Sequence, residues 1–160
     1  MKHTLAVLVL IVVSFQALAQ SETYQTIHAK FKGGADVVSF GASGFLARTV
    51  LWIAGEHDFR DAIEEVRSFR FITIPMTAFA EQRVTVDGMH RLIINNYFSE
   101  LARVSDHGDE VSVYLQTKKK KKDNRYLIVV EEDSDVVVLE ILGNIDLDKL
   151  NSATQTAFNK

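Results

Sequence analysis

RVSDHGDEVSVYLQTKKKKKDNRYLIVVEEDSDVVVLEIL, Arg103 to Leu142, decides the fold. Val111, Val113 and Leu115 alternate with polar neighbours, the period of a strand with two unlike faces. Tyr126 to Val130 is nearly all apolar, and Val136 to Leu142 is a run of bulky β-formers, the pattern of buried strands. Asp106-His107-Gly108-Asp109 has the composition of a tight connection between strands. Strands at Arg103 to Ser105, Glu110 to Thr117, Arg125 to Glu131 and Asp135 to Leu142 therefore predict an antiparallel meander, whose connections alternate between the two ends of the sheet. Asp106, Asp109, Glu110, Glu131, Glu132, Asp133 and Asp135 would then gather at one end, with Lys118, Lys119, Lys120, Lys121, Lys122 and Arg125 at the other. Solvated, charged turns account for both ends. The alternatives are a weak calcium site at the acidic end and a polyanion contact through the lysines and Arg125.

Upstream, Asp36 to Phe40 reads as a strand and Ser43 to Ala54 as an apolar helix, while residues 20–35 are expected to be loosely ordered. Asp58 is placed to cap a helix whose Phe59, Ala62, Ile63 and Val66 share one face. Phe69 to Ile74 is a short β-rich run stopped by Pro75, the single proline. Asp87 is expected to cap the next helix, with Met89, Ile93, Tyr97 and Leu101 as its stripe, and Asp146 to open a last short helix carrying Leu147, Leu150 and Ala157. The sum is one α+β domain over residues 36–158, a mainly antiparallel sheet with helices packed on one face.

VVSFGASGFLARTV, Val37 to Val50, resembles the glycine-rich strand-turn-helix of a dinucleotide-binding fold, with Gly41, Gly44 and Ala47 at the spacing that admits a pyrophosphate. That fingerprint needs a second parallel strand ending in an acid to hold the ribose. Here the next strand ends Ile74-Pro75-Met76, and the position four after Tyr97 is Leu101 rather than lysine. The stretch is expected to turn a corner and to bind no nucleotide. Other catalytic patterns are also incomplete. Phe45 stands where a G-x-S-x-G elbow around Ser43 needs glycine. His28, His57, His90 and His107 form no H-x-x-x-H pair for zinc and read as single surface or cap histidines. Glu64 and Glu65 are adjacent, so their side chains diverge on a helix. No catalytic residue, cofactor or metal ligand set is expected.

Lys2 and His3 precede an apolar run from Leu5 to Val13, and Ala17-Leu18-Ala19 supplies small residues for a signal peptidase, so residues 1–19 read as a signal peptide cleaved before Gln20. The run is shorter than the ~20 apolar residues that span a bilayer, so no transmembrane segment is expected after cleavage. With no cysteine there is no thiol to lipidate, bridge or use as a nucleophile. The net charge of -3 gives the whole chain of 160 residues no electrostatic footprint for nucleic acid.

Several segments then act together: the strand-helix DVVSFGASGFLA, a helix end at Glu100-Leu101-Ala102-Arg103-Val104, the strand Asp106 to Tyr114, and the closing ILGNIDL from Ile141 to Leu147. As a set, with YFSELARVSDHGDEVSVYLQ and RYLIVVEEDSDVVVLEILGNIDLDKL around them, they resemble the secreted bacterial family catalogued as domain of unknown function 4252. The lysine run and the GASG turn depart from that family's pattern. The resemblance implies export and a link to envelope signalling, with no catalytic residue to carry over. Gly143 is expected to relieve crowding where the last strand bends, and Tyr114, on one strand face with Ser112 and Gln116, to be a half-exposed structural tyrosine. The expected function is that of a periplasmic or extracellular, non-enzymatic module binding a protein or small ligand. The alternatives are a hydrolase or metal-dependent enzyme, and a polyanion-contacting protein using the lysine hairpin.

Overall fold

The computed structural model describes residues 21–44 and 63–146. Its strands are Val38–Ser43 (β1), Val66–Pro75 (β2), Ser99–Asp106 (β3), Asp109–Gln116 (β4), Arg125–Glu131 (β5) and Asp135–Gly143 (β6), and its α-helices are Glu22–Phe31 (α1), Met76–Glu81 (α2) and Val86–Asn95 (α3). The strands make one sheet in the order β1-β2-β6-β5-β4-β3, antiparallel at every pairing. Tyr24, Ile27 and Phe31 of α1, Phe79 of α2 and Met89 and Ile93 of α3 share one core with Ile72, Ile74, Leu127, Val129, Val136 and Val138 of the sheet. Strand alternation puts those sheet residues on a single face, so the helices cover one side, as the α+β reading requires. Each fully buried aliphatic side chain stabilises that packing by about 1.5–3 kcal/mol.

The meander forms as expected. Glu110 is registered opposite Glu131, and Gln116 opposite Arg125. The β3–β4 turn is His107-Gly108, both at positive φ (51° and 106°), which matches the right-handed twist of the flanking strands. The β3–β4 and β5–β6 turns lie at the acidic end, and the lysine connection lies at the other. There the Asn124 side chain accepts from the Lys118 N–H at 2.8 Å, and its backbone carbonyl accepts from the Gly143 N–H at 2.9 Å. One buried asparagine therefore closes the connection and ties it to β6.

Several expectations are corrected. Within the segment expected to be loosely ordered, Glu22–Phe31 forms α1, because Ser21 caps it by accepting from the Tyr24 N–H at 3.0 Å, and Tyr24, Ile27 and Phe31 are spaced to face the core. The cap of α3 is Thr85, which accepts from the Gly88 N–H at 3.0 Å, and Asp87 sits in the first turn. The stripe stops at Ile93, since Tyr97 takes a left-handed φ of 64° that ends the helix and leaves its ring 88% exposed. Leu101 and the rest of Glu100 to Val104 belong to β3 rather than to a helix end, and β3 begins at Ser99, earlier than the sequence indicated. Gly41 and Ser43 are not in a turn but in the extended β1, with Gly41 opposite Arg70. A Cβ on Gly41 would meet Arg70 Cγ at 2.9 Å, so this glycine makes room for a neighbouring side chain. β1 pairs antiparallel with β2, which is not the parallel βαβ unit a dinucleotide fingerprint needs. Ile63 lies in a turn and Val66 opens β2, so neither extends a helical face. The features expected at Asp58 and His57, most of the apolar helix ending at Ala54, the signal peptide and the last helix lie outside the described residues.

Gly143 follows the expectation for a structural reason that only packing reveals. Its φ is 137°, and a Cβ there would clash with the Glu65 carbonyl and approach Val66 Cα to 2.7 Å. The strand end thus packs backbone against backbone at the start of β2.

Candidate functional site

The helix-covered side of β4 and β5 is polar at its acidic end, and α3 brings a histidine down onto it. His90 follows Met89 on the buried side of α3 and is only 6% exposed. Its Nδ1 lies 2.6 Å from the Tyr114 hydroxyl and its Nε2 lies 2.6 Å from Glu131 Oε1. From the edge strand β3, Arg103 Nη2 donates to the Tyr114 hydroxyl at 3.0 Å and to Glu100 Oε2 at 2.8 Å, while Nη1 donates to Glu110 Oε1 at 2.6 Å. Ser112 Oγ adds a donation to the same Glu110 oxygen at 3.3 Å.

The sequence order hides this cluster. Alternation puts Glu110, Ser112 and Tyr114 on one face of β4, and antiparallel register sets Glu110 opposite Glu131. The Ser112 and Tyr114 face, polar in sequence, is therefore the covered one, and the Val111 face is the more open one. Tyr114 is fully buried and not half-exposed, because α3 lies over it. His90 is likewise no surface histidine. The legible signal was the acidic end of the meander; the histidine arrives from a helix with no spacing relation to it.

Electrostatics fix the roles. Burial pushes the Tyr114 hydroxyl above its ordinary pKa, so it stays protonated and acts through hydrogen bonds. The hydrogen bond from Arg103 holds the Glu100 carboxyl below the usual range, and the same bond raises the Arg103 guanidinium further. Three carboxylates, Glu100, Glu110 and Glu131, thus share one guanidinium and one imidazole. The ligand atoms offered by His90, Glu110 and Glu131 all lie within 4.8 Å of one another. The arrangement presents convergent acceptors at the mouth of the covered face.

The residues singled out for anion contact lie at the opposite end of the sheet. Lys118, Lys119, Lys120, Lys121 and Lys122 are exposed, whereas Arg125 is half-buried on β5 with its Nη1 3.4 Å from Gln116 Oε1. Arg67 closes this end by pairing with Asp123 at 2.8 Å. Elsewhere, an apolar groove of about 520 Å³ between α1 and α3 is lined by Ile27, Phe31, Val84, Met89 and Leu92, with Lys30 and Thr26 as its polar groups.

No described helix is long and apolar enough to cross a membrane. The family model described as a domain of unknown function, DUF4252, matches residues 42–153. No curated protein and no solved structure shows a significant match to the chain.

Proposed function

The chain belongs to the DUF4252 family, and from that premise we propose that it is an exported, non-enzymatic module that binds an extended peptide segment of a partner protein along β3. The observation that carries this reading is the edge itself. β3 is the last strand in the sheet order, and all eight of its residues are exposed. An edge strand offers a row of backbone N–H and C=O groups to an added strand. Leu101 and Val104 are 52% and 64% exposed, and Val104 is registered opposite the exposed Val111 of β4, so the edge carries apolar side chains for a partner to cover. The acidic turns at the same end, with Asp106, Asp109, Glu132 and Asp133, make a basic flank on that peptide the complementary one.

Export rests on Ala17-Leu18-Ala19 after the apolar run, and N-terminal mass analysis of the protein from the native host should find Gln20 first. Binding is tested by crosslinking in the native envelope followed by hydrogen exchange on the purified complex. The expected result is a crosslinked partner lost in Leu101→Lys/Val104→Lys, with new amide protection confined to β3. Recovery of the same partner by a folded double variant, or protection mapped elsewhere, would overturn the β3 reading.

A further inference from the structure

We propose that His90, Glu110 and Glu131 form a binding site for a divalent transition cation of the zinc type. These residues come from α3, β4 and β5, and their ligand atoms lie within 4.8 Å of one another. One imidazole nitrogen with carboxylate oxygens is a donor set for zinc, and three protein ligands leave a fourth position for water or for a partner's side chain.

Two features point to a cation rather than to a self-sufficient ion-pair network. Glu110 and Glu131 are directly registered cross-strand neighbours, a placement in which like charges destabilise a sheet, and both are half-buried. The Arg103 guanidinium is shared between Glu110 and Glu100, so among the described residues the cluster carries more carboxylate than cation. His90 is also already oriented as a ligand. Its Nδ1 is fixed by the Tyr114 hydroxyl at 2.6 Å, which turns Nε2 toward Glu131. A hydrogen bond on the second ring nitrogen is the usual support of a metal-bound histidine. With the ring in the tautomer that donates from Nδ1 to the Tyr114 hydroxyl, the cation would take the Nε2 lone pair beside Glu131 Oε1, and any proton held between those two atoms would leave to solvent.

The acidic turns alone do not make this site. Asp106 and His107 form an exposed pair on the β3–β4 turn, outside the covered face, and serve as the internal control. Calcium prefers an all-oxygen shell, so the buried imidazole selects against it.

The test uses the full protein, stripped with chelator and titrated with zinc chloride by calorimetry. Saturable binding of one equivalent is expected, together with a rise in melting temperature. Glu110→Gln leaves the His90–Glu131 contact in place and should weaken zinc by more than about tenfold, as should His90→Gln. Cobalt in place of zinc should give visible ligand-field bands that His90→Gln abolishes and His107→Ala retains. Absence of saturable zinc binding, or binding unchanged in both Glu110→Gln and His90→Gln, would overturn the site. Loss in His107→Ala would move it to the turn, and competition by equimolar calcium would overturn the choice of metal class. The β3 readout is separate, since Leu101→Lys/Val104→Lys leaves all three ligands in place.

Discussion

Glu140 on β6 accepts a hydrogen bond from the Ser21 N–H at 2.9 Å, across 119 positions of sequence. Its other oxygen lies 3.6 Å from Arg70 Nη1 on the neighbouring β2, and both side chains are buried. This contact fixes the start of α1 on the sheet. Burial also raises the Tyr24 hydroxyl to about 12, with the Glu140 carboxylate adding to the rise.

Glu140 makes stability depend on pH in a defined direction. Burial raises its carboxyl above the ordinary range, outweighing the Ser21 hydrogen bonds and the Arg70 charge that pull it down. The folded state therefore holds a proton more tightly than the unfolded chain. Its contribution is fully present below the ordinary carboxylate pKa and is lost as pH rises through the folded value. Glu140→Gln keeps an acceptor for Ser21 and should remove this decline. Urea denaturation of both proteins from the ordinary carboxylate range upward tests it, and identical pH slopes would refute the assignment.

Tyr114→Phe should destabilise by about 1–3 kcal/mol, because it deletes the hydroxyl that His90 and Arg103 both reach and leaves the buried His90 Nδ1 without that partner. Denaturant unfolding measures the loss. A change near zero would mean that water or a rotated Arg103 replaces the hydroxyl without cost.

Two glycines separate backbone conformation from packing. Gly33 has φ 90° and open space within 4 Å of where a methyl group would sit, whereas Gly143 has φ 137° and backbone of β2 in the way. Gly33→Ala should cost about 1 kcal/mol and Gly143→Ala more than about 3 kcal/mol, since strain and overlap add. Comparable melting temperatures for the two variants would contradict the close approach of Gly143 to Glu65 and Val66.

The lysine connection should be dispensable for folding. The bonds that close it use the Lys118 backbone and the Asn124 side chain, so replacing Lys118 to Lys122 with a Gly/Ser/Asn mixture leaves them in place. The melting temperature should stay nearly unchanged, because adjacent like charges repel and are screened over about 8 Å at physiological salt. Asn124→Ala should destabilise by about 1–3 kcal/mol. If the lysine replacement keeps the fold but abolishes salt-sensitive attachment to an anionic envelope polymer, this end of the sheet is a polyanion contact.

The sequence alone determined what repeats along the chain. Period-two patterning in Glu110 to Leu142 and the turn residues between its runs were enough to specify the antiparallel meander, its register direction and the separation of acids from lysines. The same local logic failed where a boundary depends on capping geometry, as at Thr85 and Tyr97, because both threonine and aspartate satisfy a cap and a tyrosine at positive φ breaks a helix without any glycine to mark it. Only tertiary structure decided which face of β4 is buried. Val111, Val113 and Leu115 are the apolar face of β4 in sequence, yet Ser112 and Tyr114 are the buried residues and His90 of α3 reaches the Tyr114 hydroxyl, because a polar strip can be buried once its donors and acceptors are paired. The candidate site follows from that choice: His90, Glu110 and Glu131 meet through helix placement and strand register, which no spacing in the sequence encodes.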